Sequence, residues 1–383
     1  MSAPWPLVPL GDILAVNREY VTSLEDRDYP KLSVRLYGKG AVPAGSVAGT
    51  SVKMKRHQIA RAGQIILSEI WGKKGAIGVV PSEGEGALCT SHFFLFDPDK
   101  AKVDIGWLRW VFSGNLIGRD LADGAKGTTG YAAVRPHQFQ NVSIPLPPLS
   151  EQRRIVALLD QVARRVEEAR RLSEEAASER EALLLRQVEE LAKGAPRRLL
   201  SEVAPIVRRA VEVDPETWYP ELGIRSFGKG TFHKPPILGA ELGGKRIFHI
   251  EPGDLLLSNV FAWEGAIAVV QPEDEGRYGS HRFITCLVDR TQATPEFLCR
   301  YFLTDEGMAA IRAASPGAAG RNRTLGIGKL AAIPVPVPPV DAQRRFADLA
   351  ARVRAADAAR QAAIEALDTL MSAALARAFH GEL

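Results

Sequence analysis

The sequence predicts an α+β protein in which two similar mixed α/β modules are separated by two long, antiparallel, coiled-coil-like helices. Three observations support this fold class: a proline-rich segment that occurs twice, a long apolar-periodic run after each copy, and an internal repeat over most of the chain. The two segments are IPLPPLSEQRR at residues 144–154 and VPVPPVDAQRR at residues 335–345. With 383 residues, the chain is long enough for two ordinary domains and connecting helices.

Each proline-rich segment marks the start of a long helix. Consecutive prolines are excluded from a helix interior, and Ser150 or Asp341 directly after them is suited to cap a helix N-terminus. The first helix is predicted over residues 151–193, and Gly194 follows as a C-terminal signal. At about 1.5 Å per residue each helix is roughly 60 Å long, too long to bury its apolar face in one small module.

Apolar residues recur at steps of three and four along both predicted helices, which places them on one face of each. In the first helix this stripe comprises Ile155, Leu158, Val162, Val166, Ala169, Leu172, Ala176, Leu183, Val188 and Leu191. In the second helix it comprises Phe346, Leu349, Val353, Ala356, Ala363, Leu367, Leu370 and Ala374. Antiparallel pairing buries both stripes at once. The alternative is two unrelated helices, each packed on its own module.

The two halves of the chain repeat each other at an offset of 190 or 191 residues. YPKLSVRLYGKG at residues 29–40 matches YPELGIRSFGKG at 219–230, and residues 62–80 match 252–270. Ser91-His92-Phe93 is aligned with Ser280-His281-Arg282 after one deleted residue. The repeat predicts a duplication with four segments: a first module at residues 1–149, a first helix at 150–193, a second module at 194–340 and a second helix at 341–383.

Within each module, short segments have the composition of strands or helices. Residues 64–67, 76–80 and 93–96 are rich in β-branched and aromatic residues and are predicted strands, and 105–112 and 296–303 are predicted short helices. The stretches 40–61 and 230–249 are Gly-rich and basic, and we expect them to be long loops. Such loops are often functional, although an ordinary solvated loop is the alternative.

Known catalytic and metal-binding motifs are missing from the sequence. It contains no phosphate-binding GxxxxGK[ST] loop, no GxSxG elbow and no HExxH, and its three cysteines are scattered without zinc-like spacing. A histidine recurs in both halves, as His92 and His281. Neither has a carboxylate or cysteine at a spacing typical of a catalytic site, which favours a structural role in packing over catalysis. Scattered thiols indicate a cytoplasmic protein, and we expect no signal peptide, no membrane span and no bound metal.

The start of the first long helix, together with the module–helix–module–helix order, resembles the specificity (S, HsdS) subunits of type I restriction–modification systems. The resemblance covers nearly the whole chain, including the PGDLLLS-type strand. It is carried by Pro147, Pro148, Leu149, Glu151 and Gln152. The second copy keeps Pro338, Pro339 and Gln343 but has Val340 and Ala342 in place of Leu and Glu.

This resemblance implies that each module is a target recognition domain that reads one half of a split DNA sequence. It also implies that the helices set the gap between the half-sites and dock two methyltransferase subunits, with restriction subunits as further partners. The chain itself would be non-catalytic and would need no cofactor, because S-adenosylmethionine would bind the partner methyltransferase subunit. Since the two modules differ in sequence, their half-sites are expected to differ as well.

Candidate DNA-binding residues are basic or amide side chains in Gly-rich or loop-like stretches, because such groups contact phosphates and base edges. In the first module they are Lys39, Lys53, Lys55, Arg56, Lys73, Lys74, Lys126 and Arg135. In the second module they are Lys229, Lys234, Lys245, Arg246, Arg321, Asn322 and Arg323. Solvated surface charge is the alternative for each. Trp71 and Trp263 lie in the same stretches and are expected in the core.

Two other classes of function are compatible with the sequence. One is a coiled-coil adaptor that uses its modules to bind proteins, and the other is an enzyme with an unrecognised site. An S-like subunit of a related restriction system is a close variant of the leading interpretation. A stand-alone nuclease or methyltransferase is opposed by the missing motifs. The net charge of +4 is compatible with DNA binding but does not require it.

Overall fold

The computed structural model describes residues 5–53, 56–114, 117, 121, 133–317 and 323–383. Its contacts divide the chain into two compact units. The first unit contains Met1–Arg170 and Ala363–Leu383, and the second contains Arg171–Ala362. Each long helix therefore contributes residues to both units. The four-segment domain organisation expected from the sequence stays a prediction.

Short strands and short helices precede the long helix in the first unit. Its strands are β1 (Leu7–Pro9), β2 (Leu14–Val16), β3 (Asp28–Val34), β4 (Ala41–Ala48), β5 (Gln58–Ile59), β6 (Ile65–Ser68), β7 (Ile77–Val79), β8 (Leu88–Cys89), β9 (Phe93–Pro98) and β10 (Ser143–Pro145). Its helices are α1 (Ile105–Ser113), α2 (Pro136–Gln140) and the first part of α3 (Leu149–Ala192).

The core of the first unit lies between a four-stranded antiparallel sheet and the helices. The sheet has the order β2-β9-β6-β7, and all four residues of β6 (IILS) are buried, including the polar Ser68 at its end. Helix α1 begins where the Asp104 carboxylate accepts a 2.8 Å hydrogen bond from Gly106 N. Its buried Trp107 belongs to the same apolar cluster as Ile155 of α3. Strands β3 and β4 form a separate hairpin.

The last helix of the chain, α9 (Val340–His380), completes the core of the first unit. It runs antiparallel to α3 there, because Arg170 pairs with Asp368 while Arg154 donates 2.6 Å to the carbonyl of Leu383. The Phe379 ring meets Trp107 edge-on with centroids 5.5 Å apart. Packing of the first unit therefore depends on residues from the opposite end of the sequence.

The second unit repeats this arrangement. Its strands are β11 (Arg197–Leu199), β12 (Ile206–Val207), β13 (Arg209–Ala210), β14 (Trp218–Ile224), β15 (Thr231–Leu238), β16 (Ile247–His249), β17 (Leu255–Ser258), β18 (Ile267–Val269), β19 (Tyr278–Ser280), β20 (Phe283–Cys286) and β21 (Pro334–Pro336). Its helices are α4 (Leu200–Val203), α5 (Gly239–Leu242), α6 (Pro295–Leu303), α7 (Asp305–Ala314), α8 (Ile327–Ala331) and parts of α3 and α9.

The sheet order of the second unit mirrors that of the first. Strands β12-β20-β17-β18 correspond to β2-β9-β6-β7, and β11 pairs with β21 as β1 pairs with β10. The hairpin β14-β15 joins a five-stranded sheet, whereas β3-β4 of the first unit pairs with no further strand among the described residues. The two long helices are antiparallel here too: Arg180 of α3 donates 2.6 Å to Asp357 of α9.

A buried glutamine joins each module to its long helix. Gln152 accepts 2.7 Å from Asp104 N and donates 3.0 Å to the Lys102 carbonyl and 2.8 Å to the Pro147 carbonyl. The side chain is 0% exposed. These bonds fix the first turn of α3 to the residues that start α1. We name this arrangement the glutamine clamp.

The second unit has the same glutamine clamp. Gln343, also 0% exposed, accepts 2.9 Å from Thr294 N and donates 3.1 Å to the Gln292 carbonyl and 2.8 Å to the Pro338 carbonyl. The clamp explains why glutamine persists in both proline-rich segments. Glu151 of the same segment is surface-exposed in part and pairs only locally with Arg154, so its absence from the second copy leaves the clamp intact.

Three sequence-based expectations are wrong. The stretches 40–61 and 230–249 are not long loops, because β4 and β15 occupy their first halves in tight hairpins. Of the predicted helix stripes, Leu158, Leu172, Leu183 and Leu370 are exposed, whereas Leu159 and Leu184, which the prediction did not include, are buried. The periodicity could not decide between adjacent leucines.

The third correction concerns the repeat register around His92. Ser68 pairs with Phe93, and Ser258 pairs with Phe283. These pairings place His92 at the position of Arg282, not of His281. The 190-residue offset therefore continues without a deletion at this point.

We expect Phe379→Ala to lower the unfolding free energy of the first unit by about 3 kcal/mol, because it leaves a cavity beside Trp107. Urea denaturation followed by tryptophan fluorescence measures this. Leu370→Ala on the same helix is the matched control, since that side chain is 53% exposed. It should change stability by less than about 0.5 kcal/mol. Equal effects of the two variants would contradict the packing of Phe379.

We expect Gln152→Leu and Gln343→Leu each to lower the unfolding free energy of their own unit by about 2 kcal/mol or more. Each substitution removes the side-chain partner of one backbone N–H and two carbonyls, which are buried or partly buried. Glu151→Ala, one residue away, should be nearly neutral because it removes only a partly exposed ion pair. Thermal and urea unfolding of the three variants provide the comparison; a neutral Gln152→Leu would refute the role of the clamp.

Candidate nucleic-acid interface

In the first unit, basic and aromatic side chains meet at the edge of the central sheet where β6 ends. Ser68 closes that strand, and its hydroxyl accepts 3.2 Å from Trp71 N, which starts a tight helical turn at Gly72–Lys74. Tyr37 N donates 2.7 Å to the Lys74 carbonyl, so the tip of the β3–β4 hairpin is attached to this turn. The Lys74 ammonium lies 5.0 Å from the Trp71 ring centroid.

A carboxylate at the same edge orients two further basic side chains. Glu69, whose side chain is only 16% exposed, pairs with Arg135 at 2.8 Å and with His92 Nδ1 at 3.3 Å. Its backbone N–H donates 2.8 Å to the His92 carbonyl. Arg135 and His92 themselves remain exposed. We name the whole group the first edge patch; it comprises Lys39, Glu69, Trp71, Lys73, Lys74, His92 and Arg135.

The second unit has an edge of the same backbone design with different side chains. Ser258 Oγ accepts 3.2 Å from Phe261 N, and Phe227 N donates 2.8 Å to the Glu264 carbonyl. Asn259 stands where Glu69 stands in the first unit, and its N–H donates 2.8 Å to the Arg282 carbonyl. The Arg323 guanidinium lies 5.4 Å from the Trp263 ring centroid. The second edge patch comprises Lys229, Asn259, Trp263, Arg282 and Arg323.

The two edge patches thus share a scaffold but not a charge pattern. The lysines at positions 73 and 74 are replaced by Trp263 and Glu264, and His92 by Arg282. A common backbone with exchanged side chains can present different hydrogen-bond donors and acceptors to two different ligand surfaces.

The predicted site residues divide into three groups. Those at the edges are Lys73, Lys74, Arg135 and Arg323, and Lys39 and Lys229 lie on the hairpin tips whose backbone is hydrogen-bonded to these edges. Those placed elsewhere or at a border are Lys53, Arg56, Lys234, Lys245 and Arg246. Those that lie outside the described residues are Lys55, Lys126, Arg321 and Asn322.

The residues placed elsewhere have local partners. Arg56 stacks over the Tyr20 ring at 3.6 Å, and Lys234 lies on strand β15 within 4.0 Å of Glu221. Arg246 borders the second edge patch, because its carbonyl accepts 3.1 Å from His281 N beside Arg282. These contacts give Arg56 and Lys234 structural roles in addition to their charge.

Sequence reasoning missed several members of the edge patches. Glu69 is 23 residues from His92 and 66 from Arg135, so no spacing rule could join them. Arg282 was missed because the sequence alignment of the two halves paired His92 with His281 instead of with Arg282. The expectation that Trp71 lies in the core is wrong, because the structure exposes its ring. Trp263 is half-buried.

The three cysteines are buried structural residues. Burial raises the pKa of the Cys89 and Cys286 thiols to about 12 and that of Cys299 to about 11. At neutral pH these thiols stay protonated and are poor nucleophiles. Within the described ranges, no three His, Cys, Asp or Glu residues are grouped in a way that could hold a metal ion. The described helices include none that is apolar over a length sufficient to cross a membrane.

Comparison with known protein families gives a match over residues 3–175, to the type I restriction modification DNA specificity domain. A protein of Methanocaldococcus jannaschii, described provisionally as the MjaX specificity subunit of a type I restriction enzyme, is 25% identical over 167 residues. That alignment covers 40% of this chain and 38% of the relative, so the chain matches well under half of the relative's length.

Two solved structures share the fold over the whole chain. The HsdS subunit of Thermoanaerobacter tengcongensis is 22% identical, with a TM-score of 0.56 over 100% of this chain and 98% of its own. A chain from a structure of the type I R-M system, on its complex assembly and conformational transition, is 22% identical with a TM-score of 0.67 over the full length of both. Residues 3–175 therefore match the model of the type I restriction modification DNA specificity domain, and the chain shares the fold of these two solved structures.

We expect the native protein to show no fast reaction with a thiol reagent such as DTNB at about pH 8, because the raised pKa and burial keep all three thiols protonated and inaccessible. After denaturation in guanidinium, all three cysteines should react. Absorbance of the released thiolate measures both states. A rapid stoichiometric reaction in the native state would contradict this description of the cysteines.

Proposed function

We propose that this chain is the DNA sequence-recognition subunit of a type I restriction–modification complex. In this proposal each unit reads one half of a bipartite, asymmetric DNA site. The observation that carries the proposal is the pair of edge patches, which have the same backbone hydrogen bonds and different side chains. Two readers of one design with different contact groups are what an asymmetric site requires.

The chemistry of the edge patches supports DNA as the ligand. Lysine and arginine contact phosphates and the acceptor atoms of guanine, and asparagine can pair with adenine in the major groove. In the first edge patch, Glu69 orients Arg135 and His92 before any ligand arrives, so less side-chain entropy is lost on binding. In the second edge patch, the Arg323 guanidinium stacked on Trp263 is held in a similar way.

The remaining parts of the chain fit a spacer and docking role. We propose that helices α3 and α9 set the gap between the half-sites and dock the methyltransferase and restriction subunits. The chain would supply no catalytic group, and S-adenosylmethionine would bind the partner methyltransferase. The glutamine clamps support this role, because they hold each module in one position on its own helix.

We expect Lys73→Ala combined with Lys74→Ala to weaken duplex DNA binding by the complex assembled with its methyltransferase subunit. If both ammonium groups contact phosphates, the slope of log affinity against log salt should fall by about 2, since each contact contributes roughly 0.9. Fluorescence anisotropy across a salt series measures the slope. Lys100→Ala, an exposed lysine outside the first edge patch, is the control and should leave both quantities unchanged.

Unchanged affinity and slope in the double variant would remove these lysines from the DNA contact. A wild-type complex that binds no duplex at any salt concentration would overturn the proposed function itself. The adaptor alternative would then explain the fold better.

A further inference from the structure

Two aromatic residues, Tyr37 and Phe227, have backbone conformations that side chains rarely adopt. Their φ angles are 59° and 62°, and in the part of the chain that the structure describes no other residue except glycine has a positive φ. They occupy equivalent positions of the repeat, directly before Gly-Lys-Gly. A bulky side chain in this region is strained, whereas glycine adopts it freely. Strained residues of this kind cluster at functional sites.

The fold does not need either aromatic ring for packing. Tyr37 is 59% exposed and Phe227 is 74% exposed. The main chain alone secures both turns: Tyr37 N and Gly38 N donate to the carbonyls of Lys74 and Gly75 at 2.7 and 3.0 Å. Phe227 N and Gly228 N make the equivalent bonds in the second unit, at 2.8 and 2.9 Å. Glycine at either position would satisfy the backbone better, so the retained ring serves something outside the fold.

The surroundings of the two rings indicate what that ligand is. Each ring is followed two residues later by an exposed lysine, Lys39 or Lys229, and each turn is hydrogen-bonded to the edge patch of its own unit. An exposed aromatic face beside cationic side chains is the combination with which proteins stack on nucleic-acid bases. Such a ring can also insert at a base step and partly unstack it.

We propose that Tyr37 and Phe227 are stacking wedges that contact the bases of duplex DNA at the border of each half-site. The inference rests on the proposed DNA-reading function and deepens it. The neighbouring residues differ between the units, as Lys74 and Glu264 do, but the strained ring is common to both. A contact that both units share cannot distinguish their half-sites. It is suited to stacking, which tolerates any base because every base has an aromatic face.

The test uses Tyr37→Gly, Phe227→Gly and the double variant in the complex assembled with its methyltransferase subunit. Glycine relieves the strained φ, so the melting temperature should stay the same or rise. Affinity for a fluorescein-labelled duplex of mixed sequence should fall about 10- to 100-fold per ring, as expected for one lost base–ring stack. The salt slope should not change, because no charge is removed. Permanganate reactivity of thymines in the bound duplex reports unstacking and should fall in the variants.

Tyr37→Phe and Phe227→Tyr are the matched controls. They keep a ring at the strained position and should retain affinity and permanganate reactivity. Glycine variants that bind as tightly as the wild type would overturn the wedge. So would loss of the methyltransferase subunit from the complex, since the rings would then be protein-docking contacts; Phe227 does border a groove against the long helices. Absence of duplex binding by the wild type would instead refute the proposed function. A failure of the wedge proposal can therefore be distinguished from a failure of the proposed function.

Discussion

The buried glutamine that joins each module to its long helix is the interaction on which the rest of the structure depends. Gln152 and Gln343 each satisfy one backbone N–H and two carbonyls at the point where a proline-rich strand turns into a helix of more than ten turns. Both glutamine residues are 0% exposed, and their hydrogen bonds to Pro147, Thr294 and Pro338 are buried, so loss of the amide leaves buried backbone groups without a partner. A long helix can act as a spacer only if the module at its start cannot rotate or slide on it. The clamp provides this restraint in both units.

Some features of the two repeated units are the same, and others differ between them. The order of the four-stranded sheet, the glutamine clamp and the strained aromatic turn are the same in both units. The side chains at the sheet edge are not: Glu69 with His92 and Arg135 in one unit corresponds to Asn259 with Arg282 in the other. Under the proposed function, constant geometry with exchanged edge residues would let the two units read two different DNA sequences. The two units can therefore be compared with each other. Surface features that both units share suggest contacts with DNA that do not depend on sequence, and features that differ suggest contacts that select the sequence.

Sequence periodicity and composition were sufficient for the fold class, the helix starts and the central strands. They failed wherever the answer depended on a partner distant in sequence. The sequence could not show which of Leu158 and Leu159 faces the core, because either residue fits the helical period. Only the packing distinguishes them. The basic stretches were mistaken for loops, because glycines that serve a hairpin with left-handed turns give the same composition as a loop. Several of the predicted basic residues lie at the sheet edges, whereas Glu69, the carboxylate that pairs with Arg135 and His92, has no local signature in the sequence.

The measurement that tests the central claim most directly is methylation mapping. The chain would be co-expressed with its partner methyltransferase subunit, and the host DNA sequenced for modified adenine. Two different readers, each held rigidly on a helical spacer, predict a split, asymmetric motif with a single fixed gap. A contiguous motif, or a split motif with a variable gap, would contradict the account. So would a stable complex that modifies no DNA at all.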